Sequence, residues 1–585
     1  MTPRSKAAAT ILLAAALASL PVLLHGIAAG DDFQFHLLSW LDAQQSWRHG
    51  IPYPHWAPNA NYGAGEPRFL FYPPLTWMLG AALGLLLPWK LVPATLLFLL
   101  LAATGFATRA LARESLPEAP STLAGCIAIL SGYALYTAYA RAAFAELAGG
   151  FWIPLLLLFA LRDRKPRAAT WSRALDGSTI PLTLIVAGAW LSNVPVGIMA
   201  SYLLALVAVV SALLARAWFP VLRAGIAVVL GLGIIAFYLL PAAWEQRFVN
   251  VEAITDIPIF RIENHFLFPW HIDPVLSVHG IGLSFVASLL AIAILSVLAF
   301  LLRQKFSTLP LNDTESRRWW IALGVVPLVV LALHFSISAP IWRLLPRLRF
   351  LQYPWRLLLL VEASTGIFFA AAVWPGRSSR LWQRVTVGLL CSLLLVGSLE
   401  FSVRRLLLQR DQSGLAEMLT DYRSGIGMDG IQEYAAPEWN NSRVAIGLPD
   451  ACFTSDPAVI LGAGGTSEDN PNWRPEQGTC LATAAATLRQ PEHLRIAMTT
   501  RQSGYLILRL RSYPAWRITV NGYRVATIPR DSDGLIDIPV PAGQIAVAVD
   551  WTTSPDVIIG RIISVVSLAL LAALYFGERK ILRID

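Results

Sequence analysis

The stretch ATILLAAALASLPVLLHGIAAGDDFQFH, residues 9–36, joins a long apolar run to two adjacent carboxylates. The run spans residues 7–28, and about 20 apolar residues are enough to cross the hydrocarbon core of a bilayer as a helix. Arg4 and Lys6 precede it, as in a signal peptide, but we interpret it as an uncleaved first spanning helix because the topology below needs that crossing. Asp31-Asp32 then end this helix at its outer face.

The composition is that of a membrane protein. The 585 residues are 56% hydrophobic and only 14% charged, and the mean hydropathy is +0.56. Because about a quarter of the residues of a soluble protein are charged, this composition excludes an ordinary soluble enzyme. The net charge of +9 resides mostly in short loops beside apolar runs, which is typical of cytoplasmic loops. We therefore expect no nucleic-acid partner.

The apolar runs predict a polytopic α-helical protein with about 12 transmembrane helices. We place these helices at 7–28, 91–112, 121–140, 147–161, 180–199, 200–215, 224–242, 280–302, 319–336, 356–374, 385–401 and 556–576. The run at 75–87 is short, and counting it would move the basic segment 162–167 to the outside. We interpret it as a helix that lies at the outer surface or re-enters it.

This topology predicts a multi-pass membrane protein with cytoplasmic N- and C-termini, and the family resemblance given below implies a bacterial inner (cytoplasmic) membrane. Residues 1–401 form the transmembrane domain, and its first extracytoplasmic loop spans 29–90. Residues 402–555 form an extracytoplasmic β-rich domain, and residues 556–585 form the last helix and a cytoplasmic tail. Further outer stretches are the turn around Arg141 and Glu146 and the segments 243–279 and 337–355.

The first outer loop opens with an amphipathic stretch. Phe33, Leu37, Trp40 and Leu41 share one helical face, which predicts a helix lying in the membrane interface.

The late insert changes to a strand-like pattern. Apolar residues alternate at Trp516, Ile518 and Val520, and Asn521-Gly522 then predicts a type I′ hairpin turn. We expect a sandwich-like domain at about 430–553. Outside the cytoplasm, a disulfide between Cys452 and Cys480 is plausible.

The carboxylates at the end of the first helix are the first candidate for chemistry. Asp31 and Asp32 are costly beside a membrane unless they have a function, which favours a general base or ligands for a divalent cation, Mg²⁺ or Mn²⁺. His36 lies one helical turn beyond Asp32 and joins the candidate site. The alternative is structural, because Asp31 and Gln34 have capping-box spacing.

The second candidate is a cluster of arginines on the outer side. Residues 342–356 contain no acidic residue but carry Arg343, Arg347, Arg349 and Arg356, against the positive-inside tendency. Arginine binds phosphate through two parallel hydrogen bonds, so a lipid phosphate is the expected ligand. The alternative is that these side chains extend to bulk lipid headgroups.

Other outer residues are candidates for a substrate cleft. Arg141 either pairs with Glu146 or joins the phosphate site. Glu263 and His265 lie among aromatic residues and match no metal signature, so we consider them cleft candidates only.

Several motifs together resemble a bacterial membrane protein family labelled 6-pyruvoyl-tetrahydropterin synthase-related. They are GDDFQFH at 30–36, PHWAPN at 54–59, GAGEP at 63–67, FYPPL at 71–75, RAAFAE at 141–146, LQYPWR at 351–356 and SYPAW at 512–516. The architecture is similar to the GT-C glycosyltransferase superfamily. That resemblance implies sugar transfer from a polyprenyl-phosphate donor with an acidic residue of the first outer loop, and Asp32 matches that position best.

The working hypothesis is a glycosyltransferase at the extracytoplasmic face. Asp32, assisted by Asp31, would act on a glycan, lipid or protein acceptor, and Arg349, Arg356 and Arg141 would bind the donor phosphate. Two alternatives are a transporter or flippase of lipid-linked glycans and a non-catalytic envelope assembly protein.

Overall fold

The computed structural model describes residues 2–27, 30–162, 178–251, 261–268, 283–306, 314–374, 380–408, 414–462 and 470–584. Its helices are Pro3–His25, Phe33–Arg48, Arg68–Phe71, Pro74–Leu86, Val92–Ala112, Glu118–Ile129, Gly132–Tyr139, Phe144–Leu147, Gly149–Leu161, Thr179–Ser192, Val194–Ala215, Phe219–Ile234, Ala236–Glu245, Leu283–Phe306, Thr314–Ala332, Ala339–Leu344, Glu362–Val373, Leu381–Leu408, Leu415–Ser424 and Pro555–Ile584.

Among the described residues, eight helical segments are long and apolar enough to cross a membrane, so the chain has the features of a multi-pass membrane protein. They are Pro3–His25, Trp89–Ala112, Glu118–Tyr139, Phe144–Leu161, Val194–Ala215, Phe285–Leu302, Pro354–Val373 and Pro555–Gly577. Phe219–Ile234 and Ala236–Phe248, which meet at a 76° bend, make a ninth if they form one span. Shorter apolar helices occupy Pro74–Leu86, Thr179–Ser192 and Leu381–Gly397.

The boundary predicted between residues 199 and 200 lies instead at Asn193. This residue is extended, with φ −162° and ψ 132°, and its side chain accepts a hydrogen bond from the Val196 amide at 3.2 Å. Pro195 in the next turn favours a helix start there. The local capping chemistry therefore leaves a helix of 14 residues before it and one of 22 residues after it.

The helix Phe33–Arg48 lies inside the protein. The predicted apolar face is buried, and so are residues on other faces, including Ser39 and Asp42 at 0% exposure. The helix packs against Pro74–Leu86. Its surroundings are therefore those of a core helix, and no broad apolar face is left for a membrane interface.

The C-terminal region forms the expected two-sheet β domain. Its strands are β1 Ala451–Thr454, β2 Ala482–Ala484, β3 Ala486–Gln490, β4 His493–Thr500, β5 Gly504–Arg511, β6 Trp516–Val520, β7 Tyr523–Arg524, β8 Ile528–Pro529, β9 Leu535–Val540 and β10 Gly543–Trp551. One sheet has the order β2-β1-β5-β9-β8, and the other has the order β3-β4-β10-β6-β7. The hairpin between β6 and β7 turns at Asn521 and Gly522, whose φ values of 51° and 84° match a type I′ turn.

Two further contacts stabilise the β domain. Cys452 and Cys480 form a disulfide across 28 residues. The core of the domain extends onto the first loop, where Trp56 packs edge-on against Trp516 at 5.2 Å. His55 also pairs with Glu492 at 2.9 Å. The β domain is thus packed directly on the loop that follows the first helix.

Candidate functional site

The carboxylate pair precedes the helix Phe33–Arg48, and the first helix ends before it, at His25. Asp32 occupies the N-cap position, and its side chain makes no capping hydrogen bond. Its backbone amide instead donates to the Arg141 carbonyl at 2.9 Å. This bond holds Asp32 beside the turn around Arg141, which lies 109 residues away in the chain.

Arg141 lies between acidic groups from two parts of the chain. Its guanidinium is 3.4 Å from Asp32 Oδ2 and 3.8 Å from Asp31 Oδ2, and its Nη1 is 2.6 Å from Glu146 Oε2. The side chains of Arg141 and Glu146 are only 6% and 2% exposed. Tyr133 donates a second hydrogen bond to Glu146. Arg141 therefore makes the expected pair with Glu146 and also faces the two aspartates, whereas its part in a phosphate site stays a prediction.

Arg356 brings a second guanidinium to the same cluster. Its Nε lies 3.6 Å from Glu146 Oε2, and its guanidinium lies 5.4 Å from the centre of the Tyr353 ring. Tyr353 stacks on Trp355 at 4.8 Å, and Trp355 in turn lies 5.2 Å from the Arg141 guanidinium. Cation–π contacts of this kind fix the position of a guanidinium without occupying its N–H donors.

The backbone is strained at three points next to these side chains. Ala142 and Arg347 have φ values of 52° and 63°, which are unusual for residues other than glycine. Gln352 has φ 61° and ψ −45°, and the Tyr353 amide donates to the Leu351 carbonyl at 2.6 Å, the pattern of a γ-turn. Such conformations cost on the order of 1–3 kcal/mol each and cluster at functional sites.

The charged cluster around Arg141 lines one cavity of about 840 Å³. This volume is within the range of small-molecule sites. Its charged or polar lining includes Asp31, Asp32, Arg141, Glu146, Asn193, Gln246, Arg347, Gln352, Arg356 and Glu433. Its apolar and aromatic lining includes Phe35, Phe71, Tyr72, Trp190, Ile198, Leu239, Val249, Val251, Phe350, Tyr353, Trp355 and Tyr434. One cavity therefore combines a charged cluster with an extensive apolar wall.

Asp32 lines the cavity with 40% of its side chain exposed, and many protein atoms surround it. Burial raises its pKa above the ordinary range, while the positive charges of Arg141 and Arg356 oppose that rise. His36 differs, because it is 1% exposed and packs against Trp40 and Phe144. Burial lowers the pKa of His36 to about 3, so it is neutral, and it does not line the cavity.

Four other residues predicted for the site lie off the cavity lining. Arg343 and Glu263 pair with each other at 3.0 Å, with 70% and 44% of their side chains exposed. Arg349 is exposed near the Phe350 ring, with its guanidinium 5.8 Å from the ring centre. His265 is buried and packs edge-on against Tyr353 at 4.7 Å. Of the four arginines in residues 342–356, the cavity thus includes Arg347 and Arg356.

Sequence reasoning missed Glu433 and Tyr434, which also line the cavity. They lie in the segment between the helix Leu415–Ser424 and the β domain, about 400 positions after the carboxylate pair. Burial, followed by the negative charges of Glu66 and Asp32, raises the pKa of Glu433 to about 7. No motif or periodicity marks this segment, so only long-range contacts reveal it.

A divalent cation at the carboxylate pair stays a prediction. The described part of the chain contains no group of three or more His, Cys, Asp or Glu side chains arranged to hold a metal ion. The Asp31–Asp32 pair faces the guanidinium of Arg141.

Comparisons with protein-family models, curated proteins and solved structures found no match to this chain.

Proposed function

We propose that this protein transfers a sugar from a polyprenyl-phosphate-linked donor to an acceptor at the extracytoplasmic face of the membrane. The observation that carries the proposal is the meeting of Asp31, Asp32, Arg141 and Arg356 on one cavity with an extensive apolar wall. Acid–base groups, phosphate-binding groups and a lipid-compatible surface are the three components that such a transfer needs.

In this proposal Asp32 is the general base. It takes the proton of an acceptor hydroxyl while the hydroxyl oxygen forms a bond to the anomeric carbon of the donor sugar. The bond between that carbon and the phosphate oxygen breaks, and the lipid phosphate leaves with the electron pair. A base is most effective when its pKa approaches the working pH, and burial moves Asp32 in that direction. The negative charge of Asp31 raises the pKa of Asp32 further and so assists it as a base.

Arg141 and Arg356 stabilise the departing phosphate. Both guanidiniums lie near Glu146, which orients them and balances part of their charge before the donor binds. Arg141 is almost fully buried, so its interaction with a developing negative charge is poorly screened by water. Apolar residues including Trp190, Ile198 and Leu239 offer a wall for the polyprenyl chain.

The decisive experiment measures transfer by purified Asp32→Asn protein. Loss of the base should reduce the rate roughly 10²–10⁴-fold while donor binding remains. The donors are undecaprenyl phosphate carrying glucose, mannose or N-acetylglucosamine, and the readout is labelled sugar on a membrane-extract acceptor. Asp421→Asn, an exposed carboxylate in the helix Leu415–Ser424, is the matched control and should retain full activity.

Donor binding is tested separately with Arg356→Gln, and exposed Arg349→Gln serves as its control. Only the first should weaken binding of the lipid phosphate. Undiminished transfer by Asp32→Asn would reject the base role. Movement of the lipid-linked sugar across the bilayer without covalent transfer would favour a transporter instead.

A further inference from the structure

Glu433 and Tyr434 lie beside an aromatic wall of the cavity. Tyr434 stacks on Phe71 at 5.8 Å with an interplanar angle of 18°. Phe35 and Tyr72 form an edge-to-face pair at 4.5 Å, and the Phe35 ring lies 6.5 Å from Tyr434. All five side chains line the same cavity as Asp32. The wall is therefore a cluster of four aromatic rings next to a carboxylate.

The segment that carries Glu433 is held on the first loop by backbone hydrogen bonds. The Met428 amide donates to the Asn59 carbonyl, and the Tyr62 amide donates to the Met428 carbonyl, both at 2.9 Å. Closer to Glu433, the Ile431 amide donates to Glu66 Oε2 at 2.9 Å. Glu66 is itself fixed by the buried Arg68 at 2.6 Å. Glu433 is thus attached to a supported segment.

The Glu433 carboxylate contacts no cationic side chain in the part of the chain that the structure describes. Glu66 and Asp32 act on it with negative charge, and Arg356 acts on it with positive charge. Among the described residues, no side chain of another residue forms a hydrogen bond or ion pair with it. The carboxylate is half-buried and accepts a hydrogen bond from its own backbone amide. Because partial burial without a neutralising partner is costly, a ligand that donates hydrogen bonds would stabilise it further.

We propose that Glu433 and the aromatic wall of Phe35, Phe71, Tyr72 and Tyr434 form the sugar-binding subsite, which rests on the proposed function. The ring of a hexose packs with its C–H face on the aromatic side chains, and its hydroxyl groups donate hydrogen bonds to Glu433. This assignment separates two parts of the cavity. Arg141 and Arg356 bind phosphate, whereas Glu433 repels phosphate and selects hydroxyl groups.

The test measures binding of two kinds of lipid to the purified full chain in nanodiscs. The probes are undecaprenyl phosphate alone and undecaprenyl phosphate carrying glucose, mannose or N-acetylglucosamine. Wild-type protein should bind at least one sugar-bearing lipid more tightly than the bare lipid. Glu433→Gln should lose roughly tenfold in affinity for that lipid, because it exchanges a charged acceptor for a neutral one, and should bind the bare lipid as before.

Matched variants assign each loss of affinity to its cause. Glu438→Gln makes the same chemical change at an exposed position five residues further along and should behave as wild type. Arg356→Gln should weaken binding of both kinds of lipid. The melting temperature of each variant shows that it is folded.

The possible failures are distinguishable. If Glu433→Gln keeps the full preference for the sugar-bearing lipid, or weakens binding of the bare lipid equally, the sugar subsite is overturned while the transfer proposal stands. If the wild-type protein binds neither kind of lipid, the proposed function fails as well.

Discussion

At the scale of single residues, two acids of the cavity have different surroundings. Glu146 contacts two guanidiniums, whereas no cationic side chain among the described residues contacts Glu433. Glu146 is 2% exposed and contacts the guanidiniums of Arg141 and Arg356, so its charge is balanced within the protein. Glu433 faces the same space with more negative than positive charge around it. We infer that Glu146 holds the two guanidiniums in position, whereas Glu433 is available to bind a ligand.

The pH dependence of binding follows from the raised pKa of Glu433. Its carboxyl loses its proton near pH 7 rather than near its ordinary value of 4.5, and only the ionised form is a charged acceptor. Affinity for the sugar-bearing lipid should therefore rise severalfold between pH 6 and pH 8, and this rise should be absent in Glu433→Gln. The affinity for the bare lipid, measured over the same pH range, is the baseline, because it contains the contributions of Asp32, Arg356 and the phosphate.

The same shift has a defined sign for stability. A raised pKa in the folded state means that this carboxyl favours folding below pH 4.5, and that the contribution disappears as the pH rises towards 7. Glu433→Gln should consequently melt at a higher temperature than wild type at pH 8 and closer to it at pH 4.5. A variant that gains no stability at pH 8 would contradict the inference that burial raises the pKa of Glu433.

At the scale of elements, the segment following the helix Leu415–Ser424 approaches the first loop closely at Gly427. A Cβ added there would lie 2.6 Å from both the Asn59 carbonyl oxygen and the Gly63 amide nitrogen. Because backbone atoms cannot move aside cheaply, only glycine fits at this crossing. Its φ of 85° adds a second reason for glycine.

We therefore expect Gly427→Ala to displace the segment that carries Glu433. The variant should lose at least roughly 2 kcal/mol of unfolding free energy from the steric and conformational cost, together with its preference for the sugar-bearing lipid. Gly425→Ala is the matched control, because its φ is 75° and an added Cβ would meet nothing within 4 Å. Equal behaviour of the two variants in melting and lipid-binding assays would show that the close crossing is unimportant.

At the scale of the whole molecule, the proposal depends on which side of the membrane the β domain occupies. The topology inferred from basic loops predicts that the β domain is outside and the turn near Trp218 is inside. A cysteine introduced at Tyr523, which is 80% exposed at the hairpin turn, should react with an impermeant maleimide in spheroplasts. A cysteine at Trp218, which is 56% exposed, should react only after permeabilisation.

These reporters require replacement of the free Cys126 and Cys391 by alanine, while the Cys452–Cys480 disulfide remains. The reverse labelling pattern would put the β domain on the cytoplasmic side and reject extracytoplasmic transfer.

Features that depend on neighbouring residues could be predicted from the sequence alone. The first helix needs only an uninterrupted apolar run, and the hairpin needs only Asn521-Gly522 between alternating residues. The break at Asn193 is also local, but its capping signal lies within one continuous apolar run, so hydropathy alone does not reveal it. The predicted interface helix Phe33–Arg48 shows the limit, because an amphipathic pattern does not distinguish lipid from a protein neighbour.

Many apolar helices and a late β domain could be predicted from the sequence, because both depend on local patterns. The carboxylate pair is also visible there, although the first helix ends at His25 and not at Asp31-Asp32. Which charged residues meet depends on the tertiary structure. It brought Arg347 and Arg356 to the cavity, left Arg343 and Arg349 outside it, and added Glu433. The physical reason is that crossing a bilayer requires apolarity along a continuous segment, whereas a site requires contacts between segments hundreds of residues apart, which packing and backbone hydrogen bonds create only in the folded chain.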